Sequence, residues 1–240
     1  MTPLVIVHGF MGGSDQWALQ APLGAARDIV TVDLPGFGRN AHLDPIDSIR
    51  GFASWVLDEL SRRGVDRFDL LGHSMGGMIV QQMTADAPDR VQKLILYGTG
   101  PVGNLPGRFE PIETSMDRAR ADGPEATASR ISATWFLKTE AAEHYAACAE
   151  IARKSTLPAI LAGLAAMRDW SGEAALRTIA SKTLVLWGDR DRTYQWPQVE
   201  RLWREIPDTR LAVVPDAAHA VHMERPALFN ALVDGFLSGD

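Results

Sequence analysis

Short apolar runs alternate along the chain with longer segments whose apolar residues recur every three to four positions. Near-continuous apolar runs are typical of parallel strands buried on both faces. They predict strands at LVIV (4–7), IVTVD (29–33), FDLLG (68–72), KLILYG (93–98), TLVLWG (183–188) and RLAVV (210–214). The helical spacing predicts helices over 46–63, 74–87, 195–205 and 226–237. This alternation indicates an α/β fold, a mostly parallel sheet of about six or more strands with helices on both faces.

One connection interrupts the alternation. Residues 100–181, between KLILYG and TLVLWG, are rich in alanine and show helical but no strand patterns, as in ATASRISATWFL and LPAILAGLAAM. A structureless loop of this length is rare in a compact domain. We therefore predict a core of residues 1–99 and 182–240, with residues 100–181 inserted over the sheet as a helical cap. The alternative is two ordinary crossover helices with long loops.

The composition limits the class of protein. The chain has 240 residues, 46% apolar and 22% charged, which is typical of a globular protein. No apolar run approaches the ~20 residues of a membrane span, and the first residues lack the features of a signal peptide. The net charge of -6 includes no basic block, and the single cysteine, Cys148, excludes an internal disulfide. We therefore expect a cytoplasmic protein without a membrane or nucleic-acid partner.

The stretch GHSMGG places a serine among glycines between a predicted strand and a predicted helix. A G-x-S-x-G in this context is the pattern of a nucleophile elbow, in which a sharp turn exposes the serine hydroxyl. Glycines at 72 and 76 remove side chains that would collide where the strand reverses into the helix. We therefore predict that Ser74 is a nucleophile; the alternative is an inert serine in a tight turn.

A serine nucleophile needs a base and an acid that orients the base, in the chain order serine, acid, histidine. Two histidines follow the last predicted strand. We favour His219, directly after RLAVV, over His222 as the base. In the loop GDRDRT we favour Asp191, which can turn back over the sheet edge, over Asp189, which follows the strand end directly.

Acyl transfer by serine also needs N–H donors for the developing oxyanion. Met75 supplies one at the start of the helix that follows the serine. The glycine-rich loop HGFMGG supplies the other, which we assign to Phe10. The alternatives are a simple glycine-rich turn and a phosphate-binding loop, but no nucleotide motif is complete. We expect no cofactor, and no metal because no Cys/His cluster has zinc-finger spacing.

The motifs HGFMGG, VDLPGFGRN, LLGHSMGG, LVLWGDRDRT and AAHAVHMERPALFN, in this order, resemble the α/β-hydrolase superfamily across nearly the whole chain. The resemblance implies the same site: nucleophile Ser74, acid Asp191, base His219 and oxyanion donors Phe10 and Met75. It also implies that the insertion is a cap domain. Within the superfamily, APDRVQKLILYGTGP is similar to 3-oxoadipate enol-lactonases and related carboxylesterases. VDLPGFGR and AAHA are similar to pimeloyl-carrier-protein methyl esterases.

Differences between this sequence and other branches of the superfamily reduce the number of reactions to consider. Haloalkane and fluoroacetate dehalogenases and epoxide hydrolases carry aspartate at the position of Ser74, so the resemblance excludes them. Hydrolases of ring-cleavage dienes carry asparagine where this chain has His73, which argues against C–C bond cleavage.

Large apolar residues of the insertion are candidates to line a substrate pocket. They are Trp135, Phe136, Tyr145 and Trp170, together with Met116 and Met167. The alternative is that they form the insertion's own core. The cationic side chains of Arg108, Arg118, Arg120 and Arg130 are candidates to meet a substrate carboxylate, or belong to solvated helix faces.

Together these features predict a serine hydrolase that cleaves a small-molecule carboxylic ester or lactone through an acyl-enzyme. A C–C bond hydrolase or lyase would use the same three residues. A receptor that binds a small molecule without turning it over would retain the same fold.

Overall fold

The strands form a single parallel sheet. The structure, a computed structural model, describes residues 2–104, 107 and 110–239. Within them the sheet has the order β2-β1-β3-β4-β5-β6. Its strands are β1 (Leu4–Val7), β2 (Ile29–Val32), β3 (Phe68–His73), β4 (Val91–Tyr97), β5 (Lys182–Gly188) and β6 (Thr209–Val214). Each predicted strand is present with ends within two residues of the prediction, and the predicted α/β fold is confirmed.

Helices cover both faces of the sheet. They are α1 (Ile49–Arg62), α2 (Met75–Asp86), α3 (Ile112–Ala133), α4 (Tyr145–Ala152), α5 (Leu157–Arg168), α6 (Trp196–Glu205), α7 (Val221–Glu224) and α8 (Pro226–Ser238). Alternate residues of β1 belong to two apolar clusters, because successive strand side chains point to opposite faces. Val5 and Val7 pack in the cluster that contains residues of α1, α2 and α6, whereas Leu4 and Ile6 pack in the cluster that contains residues of α8.

The segment between β4 and β5 carries α3, α4 and α5 and, in its described part, no strand beyond an isolated bridge from Val102 to Ser171. Gly123, at a φ of 79°, interrupts α3 just before Pro124. Apolar side chains of α5 belong to the same buried cluster as Phe10, so these helices pack directly on the loops at the edge of the sheet. Among the described residues, no helix has the length and apolar character needed to cross a membrane.

The connections after β1, β3, β4, β5 and β6 all leave the same edge of the sheet, because the strands are parallel. Sites in open α/β sheets form at this carboxyl edge. The predicted site residues Phe10, Ser74, Asp191 and His219 follow β1, β3, β5 and β6 in turn. The fold therefore brings residues far apart in sequence to one edge.

Candidate active site

Ser74 lies at the corner between β3 and α2, with φ 57° and ψ -121°. A positive φ costs a non-glycine residue roughly 1–3 kcal/mol, so the surrounding contacts must hold this conformation. The Ser74 amide donates to the Tyr97 carbonyl at 3.0 Å, and the Thr99 hydroxyl donates to the Ser74 carbonyl at 2.8 Å. A Cβ at Gly76 would overlap with backbone oxygens of the β1 loop, which explains the glycine two residues after the serine.

A small cavity of about 10 Å³, room for about one water molecule, lies beside Ser74. Its lining among the described residues comes from the loop after β1, the turn after β3, the insertion and the segment after β6: Gly9, Phe10, Gln16, His73, Ser74, Trp135, Cys148, His219, Ala220 and His222. The Ser74 hydroxyl makes no hydrogen bond to any described residue. It therefore remains available to a group that enters the cavity.

His219 is held against a carboxylate. Its Nδ1 lies 2.8 Å from Oδ2 of Asp191, and the two side chains are 1% and 0% exposed. The other Asp191 oxygen accepts hydrogen bonds from the amides of Thr193 and Tyr194, at 2.7 and 3.1 Å. A carboxylate accepts, so Nδ1 carries a proton, and in the neutral form of the ring the lone pair is on Nε2. The Asp191 contact thus fixes the orientation of the His219 ring, an arrangement that suits a general base.

The structure distinguishes the alternatives that the sequence left open. Asp189 directly follows β5, and its carboxylate lies 3.7 Å from the Arg190 side chain rather than at a histidine. His222 directs its Nδ1 to the Tyr97 hydroxyl at 3.0 Å, and burial lowers the pKa of its ring to about 3. His222 is therefore neutral at ordinary pH and has no carboxylate partner among the described residues.

Two backbone N–H groups next to Ser74 are unpaired within the described part of the chain, those of Phe10 and Met75. Met75 is the first residue of α2, where the helix has no acceptor for its amide and the dipole favours negative charge. The loop of Phe10 approaches closely, since a Cβ at Gly9 would lie 2.9 Å from the Ser74 Cβ. Both amides are thus in a region suited to an oxyanion.

His8 supports this loop, a role that the sequence reasoning missed. Its Nδ1 donates to the Gly9 carbonyl at 2.8 Å, and its Nε2 accepts from the Leu34 amide at 3.0 Å. Complete burial lowers the pKa of the ring, so it stays neutral. A neutral ring can donate from Nδ1 and accept at Nε2 at the same time. The signal in the sequence was a histidine directly at the end of a buried strand.

Of the four aromatic residues proposed for the pocket, Trp135 lines the cavity, with its ring 6.4 Å from that of His219. The other three lie elsewhere among the described contacts. Phe136 and Tyr145 pack against each other at 6.4 Å, and Trp170 donates from Nε1 to Gln82 on α2 at 3.2 Å. Their size and apolar character made all four candidates, but these properties carry no information on which surface each side chain meets.

The cavity also contains side chains that the sequence did not single out, notably Gln16 and Cys148. Burial raises the pKa of the Cys148 thiol to about 12, so it stays protonated. Both residues lie on helical segments without a motif. Within the described residues no group of three His, Cys, Asp or Glu side chains could hold a metal ion.

The arginines of the insertion are engaged with carboxylates. Arg118 and Arg130 pair with the buried Glu110 at 2.8 and 3.3 Å, and Arg120 pairs with Asp117 at 2.8 Å. The prediction for Arg108 lies outside the described residues. None of the described three lines the cavity of Ser74.

Known proteins resemble this chain over nearly its whole length. A pimeloyl-[acyl-carrier protein] methyl ester esterase of Pectobacterium atrosepticum is 28% identical over 244 residues, covering 98% of this chain and 94% of the relative. The acetyltransferase component of the acetoin cleaving system of Pseudomonas putida is also 28% identical, and the match covers 98% of this chain but only 63% of that longer protein.

Among solved structures, the enol-lactonase of Burkholderia xenovorans LB400 has a similar fold, with a TM-score of 0.90 at 21% identity, covering 100% of this chain and 92% of that one. At this identity the likeness shows the fold alone. Residues 4–232 match the model of the alpha/beta hydrolase family. The resemblance seen in the sequence is thereby confirmed, and the chain belongs to the alpha/beta hydrolase family.

Proposed function

We propose that this chain is a serine hydrolase that cleaves a small carboxylic ester or lactone, with Ser74 as nucleophile, His219 as base and Asp191 as the group that orients it. One observation carries the proposal: the His219–Asp191 hydrogen bond of 2.8 Å lies at the same cavity as a serine on a strained strand-to-helix corner. The methyl ester esterase among the relatives supports an ester as substrate.

In the proposed reaction, Nε2 of His219 takes the proton of the Ser74 hydroxyl as Oγ attacks the substrate carbonyl carbon. The C=O bond becomes a C–O⁻ single bond, which the amides of Phe10 and Met75 stabilise. Collapse of this intermediate breaks the bond to the leaving oxygen. His219 returns the proton to that oxygen, so the alcohol departs and an acyl-serine ester remains.

Water then repeats the sequence on the acyl-serine. His219 takes a proton from water, the hydroxide attacks the acyl carbon, and the second collapse releases the carboxylic acid and restores Ser74. A lactone follows the same course, except that the leaving alcohol remains part of the acyl group, so the second step releases a single hydroxy acid. Each cycle consumes one water and needs no metal or cofactor.

The first test is Ser74→Ala on a panel of p-nitrophenyl esters and lactones. We expect kcat to fall by ~10³-fold or more, because the nucleophile is lost while the fold is kept. Ser181→Ala is the matched control. Ser181 is also a buried serine, but its hydroxyl donates to the Val91 carbonyl and it does not line the cavity. Hydrolysis at the wild-type rate by Ser74→Ala would refute the proposal.

A second arm separates the two aspartates. Asp191→Asn should reduce kcat by roughly 10⁴-fold, because an amide no longer holds the His219 ring in the correct tautomer. Asp189→Asn makes the same change two residues away and should keep most of the activity. Labelling of Ser74 by a fluorophosphonate without turnover of any ester or lactone would favour a receptor, or the C–C cleaving alternative.

The proposal extends to the parts around the site. Residues 100–181 act as a cap that selects the substrate, supported by Trp135 in the cavity wall. The cytoplasm is the proposed location, supported by the free thiol of Cys148.

A further inference from the structure

The backbone carbonyl of His219 receives two side-chain hydrogen bonds. The Tyr97 hydroxyl lies 2.8 Å from this oxygen, and Nε2 of His73 lies 3.1 Å from it. Tyr97 is the last residue of β4, and His73 is the last residue of β3 and precedes Ser74. Two neighbouring strands therefore hold the main chain of His219, which lines the same cavity as Ser74.

The hydrogen-bond pattern fixes the direction of each bond. A carbonyl only accepts, so His73 donates from Nε2 and Tyr97 donates its single hydroxyl proton to His219. The Tyr97 oxygen must then accept from His222, whose Nδ1 and backbone amide lie 3.0 and 3.2 Å away. The backbone carbonyl of His222 in turn accepts from the Gln20 side chain at 2.9 Å.

All three supporting side chains are uncharged at ordinary pH. Burial lowers the pKa of the His73 and His222 rings and raises the pKa of the Tyr97 hydroxyl. Because both donors are uncharged, they bind the His219 carbonyl without placing a positive charge beside the His219 ring. Packing adds rigidity, since the His73 ring stacks on Tyr97 at 4.4 Å and lies 4.5 Å from the ring of His219.

We propose that Tyr97 and His73, supported by His222, are positioning residues that set the orientation of the His219 ring through its backbone carbonyl. The inference rests on the proposed function for its effect on turnover. It assigns a role to the histidine in GHSMGG that the elbow geometry does not require. A displacement of a catalytic group by about 1 Å can cost ~10²-fold in rate, so loss of a carbonyl anchor should be visible in kcat.

The test compares Tyr97→Phe with Thr84→Val. Tyr97→Phe removes only the hydroxyl and keeps the ring, and Thr84→Val likewise removes a buried hydroxyl that donates to a backbone carbonyl, Val80, at 2.7 Å. We expect Tyr97→Phe to lower kcat about 10-fold or more with KM within about twofold, because substrate binding is untouched. Thr84→Val should keep kcat even if its Tm falls equally.

A second pair tests His73 by rescue. His73→Gln keeps a side-chain N–H at a similar reach from the backbone, whereas His73→Leu fills the space without a donor. We expect His73→Gln to retain several-fold more kcat than His73→Leu at a similar Tm. Equal losses in both variants would mean that His73 only fills space, and would overturn its assignment.

A readout without substrate separates this inference from the proposed function. The Nδ1 proton of His219 can be followed by NMR in the ¹⁵N-histidine-labelled protein, and its exchange with water should be at least several-fold faster in Tyr97→Phe than in Thr84→Val. If wild-type protein hydrolyses no ester but this difference appears, the proposed function fails and the positioning role stands. If the two variants match in exchange and in kcat, the positioning role is wrong.

Discussion

A methyl group at residue 98 would contact the ring of His219. Gly98 directly follows β4 and has a φ of 52°. A Cβ at this residue would lie 3.2 Å from Nδ1 of His219. That nitrogen makes the bond to Asp191, and the ring is 1% exposed, so it has little room to withdraw. Glycine at this position serves the geometry of the site as well as the turn.

We predict that Gly98→Ala lowers kcat by at least ~10-fold, because the displaced ring no longer aligns with Ser74. It should also cost roughly 1–2 kcal/mol of stability from the left-handed backbone. Gly64→Ala is the control: its φ is 71° and a Cβ would meet nothing within 4 Å. The measurements are kcat and Tm of both variants. An equal loss of kcat in Gly98→Ala and Gly64→Ala would contradict the prediction.

At this scale the sequence predicted the residues that carry motifs and missed the residues that support them. Ser74 and His219 stand in recognisable patterns, whereas the donors from Tyr97 and His73 depend on which strands are neighbours. Order in the sheet, β3 beside β4, brings those two side chains to one carbonyl. Local pattern does not contain that order.

Among the elements, the insertion is tied to the segment that carries His219. Glu224, at the end of α7, accepts hydrogen bonds from the amides of Leu137 and Ala218, both at 2.6 Å. The Ala220 amide donates to the Trp135 carbonyl at 2.9 Å. One carboxylate thus joins the loop after α3 to the loop before α7.

We predict that Glu224→Gln weakens this junction. An amide nitrogen cannot accept from a backbone N–H, so one bond is lost and two donors face each other, at a cost of about 1.5–3 kcal/mol. Tm and kcat should both fall, and the Leu137 and Ala218 amides should exchange faster by NMR. Glu125→Gln, an exposed neutralisation on α3, is the control and should change neither. Slow exchange of both amides in Glu224→Gln would count against the junction.

Element positions were predictable where the period was clear. The strands and α1, α2, α6 and α8 appear within about three residues of the predictions, because buried apolar patterns determine them. The assignment of individual aromatic residues to the pocket did not follow. Trp135 reaches the cavity because it lies in the loop bonded to Ala220, while Trp170 lies at the far end of α5 against α2.

At the scale of the whole molecule, one buried carboxyl, that of Asp69, contributes to the pH dependence of stability. Asp69, on β3, is 5% exposed. Burial raises the pKa of its carboxyl, and Lys93 and Arg27 offset this only in part. Because the folded pKa lies above the unfolded one, this group favours folding at low pH. Its contribution is lost as the pH rises through the raised pKa.

We therefore predict that Asp69→Asn raises Tm at pH 7 by about 1–3 °C, the shift that up to ~1 kcal/mol produces in a chain of this size. The gain should vanish below about pH 3, where the carboxyl is protonated in both states. Asp66→Asn makes the same charge change on the surface and should leave Tm nearly constant. A gain at pH 7 that persisted in acid would exclude this explanation.

The backbone bonds between the insertion and the His219 segment also bear on how such folds diversify. Exchange of the whole insertion would replace Trp135 and Leu137, whose backbone groups bond Ala220 and Glu224 in the segment that carries His219. A chimera that exchanges α4 and α5 but keeps residues 134–138 would retain both. We therefore expect that segments of the insertion can be exchanged with another family member only if residues 134–138 are kept. The boundary of the exchangeable part lies inside the insertion, not at its ends.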